Sequence, residues 1–169
     1  REDFTRNRPQ LLFNSFYGQY ALFSTTSARG ITAIGHEALL NNKTGNFNVA
    51  VGFQALYTTT NNVGNTAVGV RSLYNSTSSF NSAYGWEALF NNTTGGYNTA
   101  IGNASMYTNT AGAFNTAAGN DALIGNTTGN ENVAIGGSAA SGNTTGNYNV
   151  AVGSQALAAD IIGSNNTAI

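Results

Sequence analysis

The sequence has no cysteine, one proline and one histidine, and only 8% of its 169 residues are charged. Each scarcity removes a class of protein. Without cysteine there are no disulfide staples and no thiolate metal sites. A single histidine, His36, rules out a histidine metal cluster and any repeated histidine-based site. The net charge of −1 offers no long-range attraction to nucleic acid or to an anionic membrane surface. No apolar run approaches the roughly 18 residues of a membrane-spanning helix. Arg1 to Arg8 is charged and no apolar segment follows, so no secretory signal peptide is visible. The start at Arg1 instead of methionine suggests a processed or partial chain, with export relying on other parts.

What remains is uncharged and small. The chain holds 26 Asn, 21 Thr, 13 Ser and 21 Gly, close to half of all residues. Such a composition cannot bury a wide core of large side chains. It is also unlike a disordered chain, because charge is low and Val, Ile, Leu and Tyr recur regularly. A narrow core drawn out along a repeating structure satisfies both facts.

The repeat is plain once one glycine is used as register: Gly18, Gly35, Gly52, Gly69, Gly85, Gly102, Gly119, Gly136 and Gly153. They are 17 residues apart, except for 16 between Gly69 and Gly85. A fixed short period is the signature of stacked repeats. The frame reads Asn-Thr-Ala-Val-Gly-x-x-Ala-Leu-Tyr-x-Asn-Thr-Thr-Gly-x-aromatic, cleanest over 81–97 and 132–148. Asn opens nearly every unit (Asn14, Asn48, Asn65, Asn81, Asn98, Asn115, Asn132, Asn149, Asn166), with Ile31 as the exception. Stacked at the ~4.8 Å strand spacing, such amides can hydrogen-bond as a ladder. The third column is Ala in every unit from Ala33 to Ala168, with Phe16 in the first unit, and must face a tight space. The fourth is mostly Ile or Val, residues that favour strands. The glycine allows positive φ or close backbone approach. Leu22, Leu39, Leu56, Leu73, Leu89, Met106, Leu123 and Leu157 follow, and Asn-Thr-Thr-Gly closes the unit with turn chemistry.

The spacing therefore predicts an all-β chain, a parallel β-solenoid or β-roll of about nine 17-residue coils with two short strands per coil. The Leu and Val/Ile columns are expected to fill a thin core. One coil cannot bury its apolar side alone, so stability comes from neighbours. Nine coils give a rod of roughly 45 Å. The solenoid is assigned to residues 14–169, and residues 1–13 to a non-repeat cap or connector.

The frame Asn-Thr-Ala-Ile/Val-Gly-x-x-Ala-Leu resembles the head repeats of trimeric autotransporter adhesins. With its Ala-Leu-Tyr and Asn-Thr-Thr-Gly, the whole unit is similar to repeats of phage tail-fibre and related bacterial surface proteins. The resemblance covers about residues 14–169. It implies a left-handed parallel β-roll, often three chains around one axis, on an extracellular, cell-surface or virion fibre. The autotransporter unit is commonly shorter than this one. A second assembly is suggested by arithmetic, since residues 166–169 and 1–13 together amount to one repeat, so that head-to-tail stacking would complete a coil across a junction. Identical chains, in a homotrimer or a head-to-tail filament, are the expected partners. A cell-surface receptor or glycan is a further one.

Chemistry is sparse. Glu37, the acid nearest to His36, falls at an exposed position. Glu37, Glu87 and Asp121 share a column but are several coils apart, whereas paired-carboxylate catalysis needs groups roughly 5–10 Å apart. No phosphate loop or nucleophile elbow is present. No enzyme, cofactor or metal is expected. Phe53, Val70 and Trp86 occupy one variable column in three successive coils. Facing outward, they would suit a partner or a sugar; facing a second chain, they would be an inter-subunit contact. Aromatic residues form two columns, Tyr57, Tyr74, Phe90, Tyr107 and Phe47, Phe80, Tyr97, Phe114, Tyr148.

Asn42, Asn92, Asn126 and Asn143 are sequons at one turn column, and Asn75, Asn103 and Asn165 are also sequons. They read either as turn chemistry or as a regular stripe of glycosylation. The expected function is a non-catalytic structural or adhesive fibre segment. A glycosylated head-to-tail filament subunit and an ice-binding solenoid are the alternatives. The second column (Ser15, Thr32, Val49, Thr66, Ser82, Thr99, Thr116, Val133, Val150, Thr167) is too broken for a flat threonine lattice. A polysaccharide-cleaving β-helix would lack its acid pair.

Overall fold

A computed structural model of the chain describes residues 13–159 and 161–169. The assignment of residues 1–13 to a cap, and with it the completion of a coil across a head-to-tail junction, lies outside the described residues except for Phe13. Among the described residues there is no helix. Ten short strands follow one another as β1 (Ser15–Tyr17), β2 (Thr32–Ile34), β3 (Val49–Val51), β4 (Thr66–Val68), β5 (Ser82–Tyr84), β6 (Thr99–Ile101), β7 (Thr116–Ala118), β8 (Val133–Ile135), β9 (Val150–Val152) and β10 (Thr167–Ala168). Each pairs in parallel with the next to build one ten-stranded sheet in strict sequence order. Register never slips: Ala33 faces Ala50, Ala67 faces Ala83, and Ala134 faces Ala151. The chain is a β-solenoid of about nine turns with one repeat per coil. The single missing residue between Gly69 and Gly85 is absorbed outside the strands, since Thr66 still pairs with Ser82.

Two expectations about the interior are corrected by one physical rule. Along an extended strand, neighbouring side chains point to opposite faces. The alanine at the centre of each strand from β2 to β9 is wholly buried, so the residues on either side must point out. The Ile/Val column therefore lies on the outer surface and not in the core, with Ile101 48% exposed and Ile34 42% exposed. The interior is filled by two alanine-rich columns, the Leu column and asparagine.

The second correction concerns the expected second strand, which is absent; each coil has one. Ala38 and Leu39 are adjacent and both fully buried, and no extended segment can turn both inward. The backbone bends instead. Gly35, Glu37 and Leu39 take φ of 128°, 59° and 52°, and the same alternation recurs in coil after coil. Ala38 N–H returns to Gly35 O at 3.3 Å, and Asn42 N–H to Leu39 O at 3.1 Å, as in successive tight turns. Pairing between coils survives: Leu39 N–H donates to Ala55 O at 3.0 Å and Leu89 N–H to Ser105 O at 3.0 Å. A left-handed backbone costs a non-glycine residue about 1–3 kcal/mol. Burial of a leucine side chain returns about 1.5–3 kcal/mol, and the bond to the next coil adds to it.

Asparagine ladders and the candidate functional site

Two buried ladders run along the rod, the first over most of its coils and the second over four. In the first, Asn98 Oδ1 accepts from the backbone N–H of Asn115 at 2.9 Å, while its Nδ2 donates to Gly112 O at 2.8 Å. Asn115, Asn132 and Asn149 repeat both contacts. The expected amide ladder is therefore present, but its main bonds run from side chain to backbone. Ile31 interrupts it as a buried apolar residue.

The second ladder, Asn92, Asn109, Asn126 and Asn143, is amide to amide. Asn109 Nδ2 reaches Asn92 Oδ1 at 2.7 Å, Asn126 Nδ2 reaches Asn109 Oδ1 at 2.8 Å, and Asn143 Nδ2 reaches Asn126 Oδ1 at 3.2 Å. Each Nδ2 also donates to the carbonyl three residues on, as in the bond from Asn92 to Gly95 O at 2.8 Å. That carbonyl belongs to the closing glycine, which is needed for space and not for its φ. A Cβ on Gly95 would meet Asn92 Oδ1 at 2.7 Å and Asn109 Nδ2 at 2.9 Å.

These contacts overturn four of the glycosylation expectations. Asn42, Asn92, Asn126 and Asn143 are buried, with Nδ2 occupied by hydrogen bonds inside the rod. A folded coil has no room for a glycan there. Asn75 is half-buried and donates to Asn91 Oδ1 at 3.3 Å, while Asn103 and Asn165 are exposed.

The surface has two distinctive regions. The first is the outer face of the sheet, where Tyr17, Ile34, Val51, Val68, Tyr84, Ile101, Ile135 and Val152 form one axial column beside the Thr/Val column of the same strands. The broken threonine column does lie outward, but Tyr84 and Tyr17 stand beside it, so the face is not a flat lattice.

The second region follows the register glycines. Phe53 (40% exposed), Val70 (41%) and Trp86 (57%) face solvent on three successive coils. His36 belongs to the same column: its ring stacks on Phe53 with centroids 5.5 Å apart and an interplanar angle of 16°, and Tyr20 meets it edge-on at 6.0 Å. Directly alongside runs a polar row. Gln54 Nε2 donates to Glu37 Oε2 at 2.7 Å, Arg71 Nε donates to Gln54 Oε1 at 3.3 Å, and Arg71 Nη1 lies 3.7 Å from Glu87 Oε1. Glu37 and Glu87 are thus joined through Gln54 and Arg71 into one axial chain. The row escapes a reading that looks only for acid pairs, although its signal is present: all four residues stand two places after a register glycine.

The aromatic columns are true stacks. Tyr57, Tyr74, Phe90 and Tyr107 lie 5.0–5.1 Å apart and nearly parallel, half-buried. Phe80, Tyr97 and Phe114 stack similarly but exposed. Gly64 separates Phe47 from that stack, and Glu131 separates Tyr148. Among the described residues no three of His, Cys, Asp and Glu come together as a metal set, and no helix is long and apolar enough to cross a membrane. Comparisons with family models, curated proteins and solved structures find no match to this chain.

Proposed function

We propose that this chain is a non-catalytic segment of an extracellular fibre, adhesive or structural, in which identical chains associate side by side. The observation that carries the reading is the outer face of the ten-stranded sheet. Every coil adds an Ile, Val, Tyr or Ala to one outward column, so the apolar surface runs unbroken along the rod. Contiguous apolar patches of this kind mark association surfaces. Burying that column between chains lengthwise leaves the rod intact and requires no pocket. The repeat resemblance agrees with three chains around a common axis, and with a cell-surface or virion setting.

Sedimentation of the purified chain tests the association. The expected particle is elongated, with three times the 17.4 kDa chain mass. Val68→Lys and Ile101→Lys, which place charge on the face, are expected to release monomers with an unchanged far-UV spectrum. A compact monomer at micromolar concentration in the unaltered chain would sink the reading.

A further inference from the structure

We propose that the patch over the coils of His36 to Glu87 is a binding platform for a neutral, linear oligosaccharide. The inference rests on the fibre reading above and supplies its ligand class. In a rod whose columns otherwise repeat, this stretch departs from its neighbours. The place after the register glycine is Asn103, Asn120, Gly137 and Ser154 in later coils, but His36, Phe53, Val70 and Trp86 here. The place after that is Ala104, Asp121, Ser138 and Gln155 in the later coils, where larger polar side chains alternate with small ones, but an unbroken run of Glu37, Gln54, Arg71 and Glu87 here.

Stacking of the coils does not require the change, because the later coils close with the same backbone bonds: Ala104 N–H to Trp86 O matches Gln54 N–H to His36 O, both at 2.9 Å. What the change adds is an apolar strip, three rings interrupted by Val70, beside a strip of carboxylate, amide and guanidinium groups. Sugars are recognised by that combination, with the apolar face of a pyranose laid on an aromatic ring and its hydroxyls bonded to planar polar side chains. Here that ring is Trp86, because His36 and Phe53 turn their faces to each other. The row is already braced by its own hydrogen bonds, so its groups are held in place before a ligand arrives. Two carboxylates against one guanidinium disfavour an acidic glycan. The strips run along the rod axis, one unit per coil, which matches an extended glycan and not a branched cluster.

The chain contains one tryptophan, Trp86, so its fluorescence reports on this patch alone. Cellohexaose, mannohexaose, chitohexaose and maltohexaose are titrated separately into the intact protein. At least one is expected to shift or quench Trp86 emission to saturation. Phe53→Ala and Arg71→Ala are each expected to weaken that binding tenfold or more, while Tyr148→Ala on another column leaves it unchanged. Circular dichroism shows whether the variants remain folded, and Arg71→Lys serves as the milder substitution. If no hexasaccharide produces a saturable change, the platform is overturned. If Trp86 emission instead depends on protein concentration, and Phe53→Ala lowers the sedimenting mass, the patch is a contact between copies and the proposal equally falls. Elongated particles without sugar binding leave the fibre reading standing, so the two failures are distinguishable.

Discussion

Asn109 donates its side-chain amide to Asn92 Oδ1 across 2.7 Å, with both residues wholly buried. The same amide bonds Gly112 O at 2.9 Å, and Asn109 Oδ1 accepts from Asn126 at 2.8 Å. Polar groups in a thin rod are stable only when paired in this way. Asn109→Ala would strand Asn92 Oδ1, a buried acceptor worth about 1–3 kcal/mol when left unsatisfied, and would leave Asn126 Nδ2 with only its bond to Gly129 O. The expected loss is about 3 kcal/mol, read as a lowered urea midpoint.

Asn42 stands in the same column but apart from the ladder, its Oδ1 buried without a partner, because the next two coils offer Thr59 and Ser76 in place of asparagine. Thr59→Asn would provide a donor but also bring an amide against the side chain of Asn62, which stands where Asn-bearing coils have glycine. The single change is expected to destabilise. Adding Asn62→Gly is expected to recover the loss, with a coupling of about 1–2 kcal/mol in the double-mutant cycle. Simple additivity would show that the Asn-x-x-Gly pairing is not a steric requirement.

Gly102 and Gly153 occupy the same column with φ of 128° and 122°. An added Cβ on Gly102 would overlap the carbonyl oxygen of Gly119, whereas one on Gly153 meets nothing within 4 Å. Both alanine variants incur the backbone strain of about 1–3 kcal/mol. Only Gly102→Ala adds an overlap with backbone that cannot move aside, about 1–3 kcal/mol more. The thermal midpoint of Gly102→Ala is therefore expected to fall clearly below that of Gly153→Ala. Equal midpoints would mean that conformation alone selects glycine here.

Leu89 fills the interior between Leu73 and Met106. Leu89→Ala is expected to cost about 2–5 kcal/mol, and Met106→Leu less than about 1.5 kcal/mol, since it nearly conserves volume. Denaturant unfolding of both variants checks the contrast. A Met106→Leu loss as large as that of Leu89→Ala would mean that the column is shaped for individual side chains.

The pattern of residues was enough for the period, the all-β class and the in-register stacking, because a solenoid places position i over position i+17 and every column becomes a contact. The exposed patch of Phe53, Val70 and Trp86 was legible for the same reason. The direction of each column was not. Ala50 and Val51 are both apolar, and only the extended backbone of β3 turns one in and the other out. Ala38 and Leu39 are both buried because the chain there leaves the extended state, at a cost in φ that composition does not reveal.

Asn92 and Asn103 are both sequons, yet one amide lies inside the rod and the other outside it. The row from Glu37 to Glu87 likewise became a single chain only when Gln54 and Arg71 were placed between the acids. Sequence by itself determined which residues share a column, since a constant period leaves no freedom in that choice. Tertiary structure decided which side of the wall each column occupies, because that depends on backbone dihedrals whose strain is compensated only by the coils above and below.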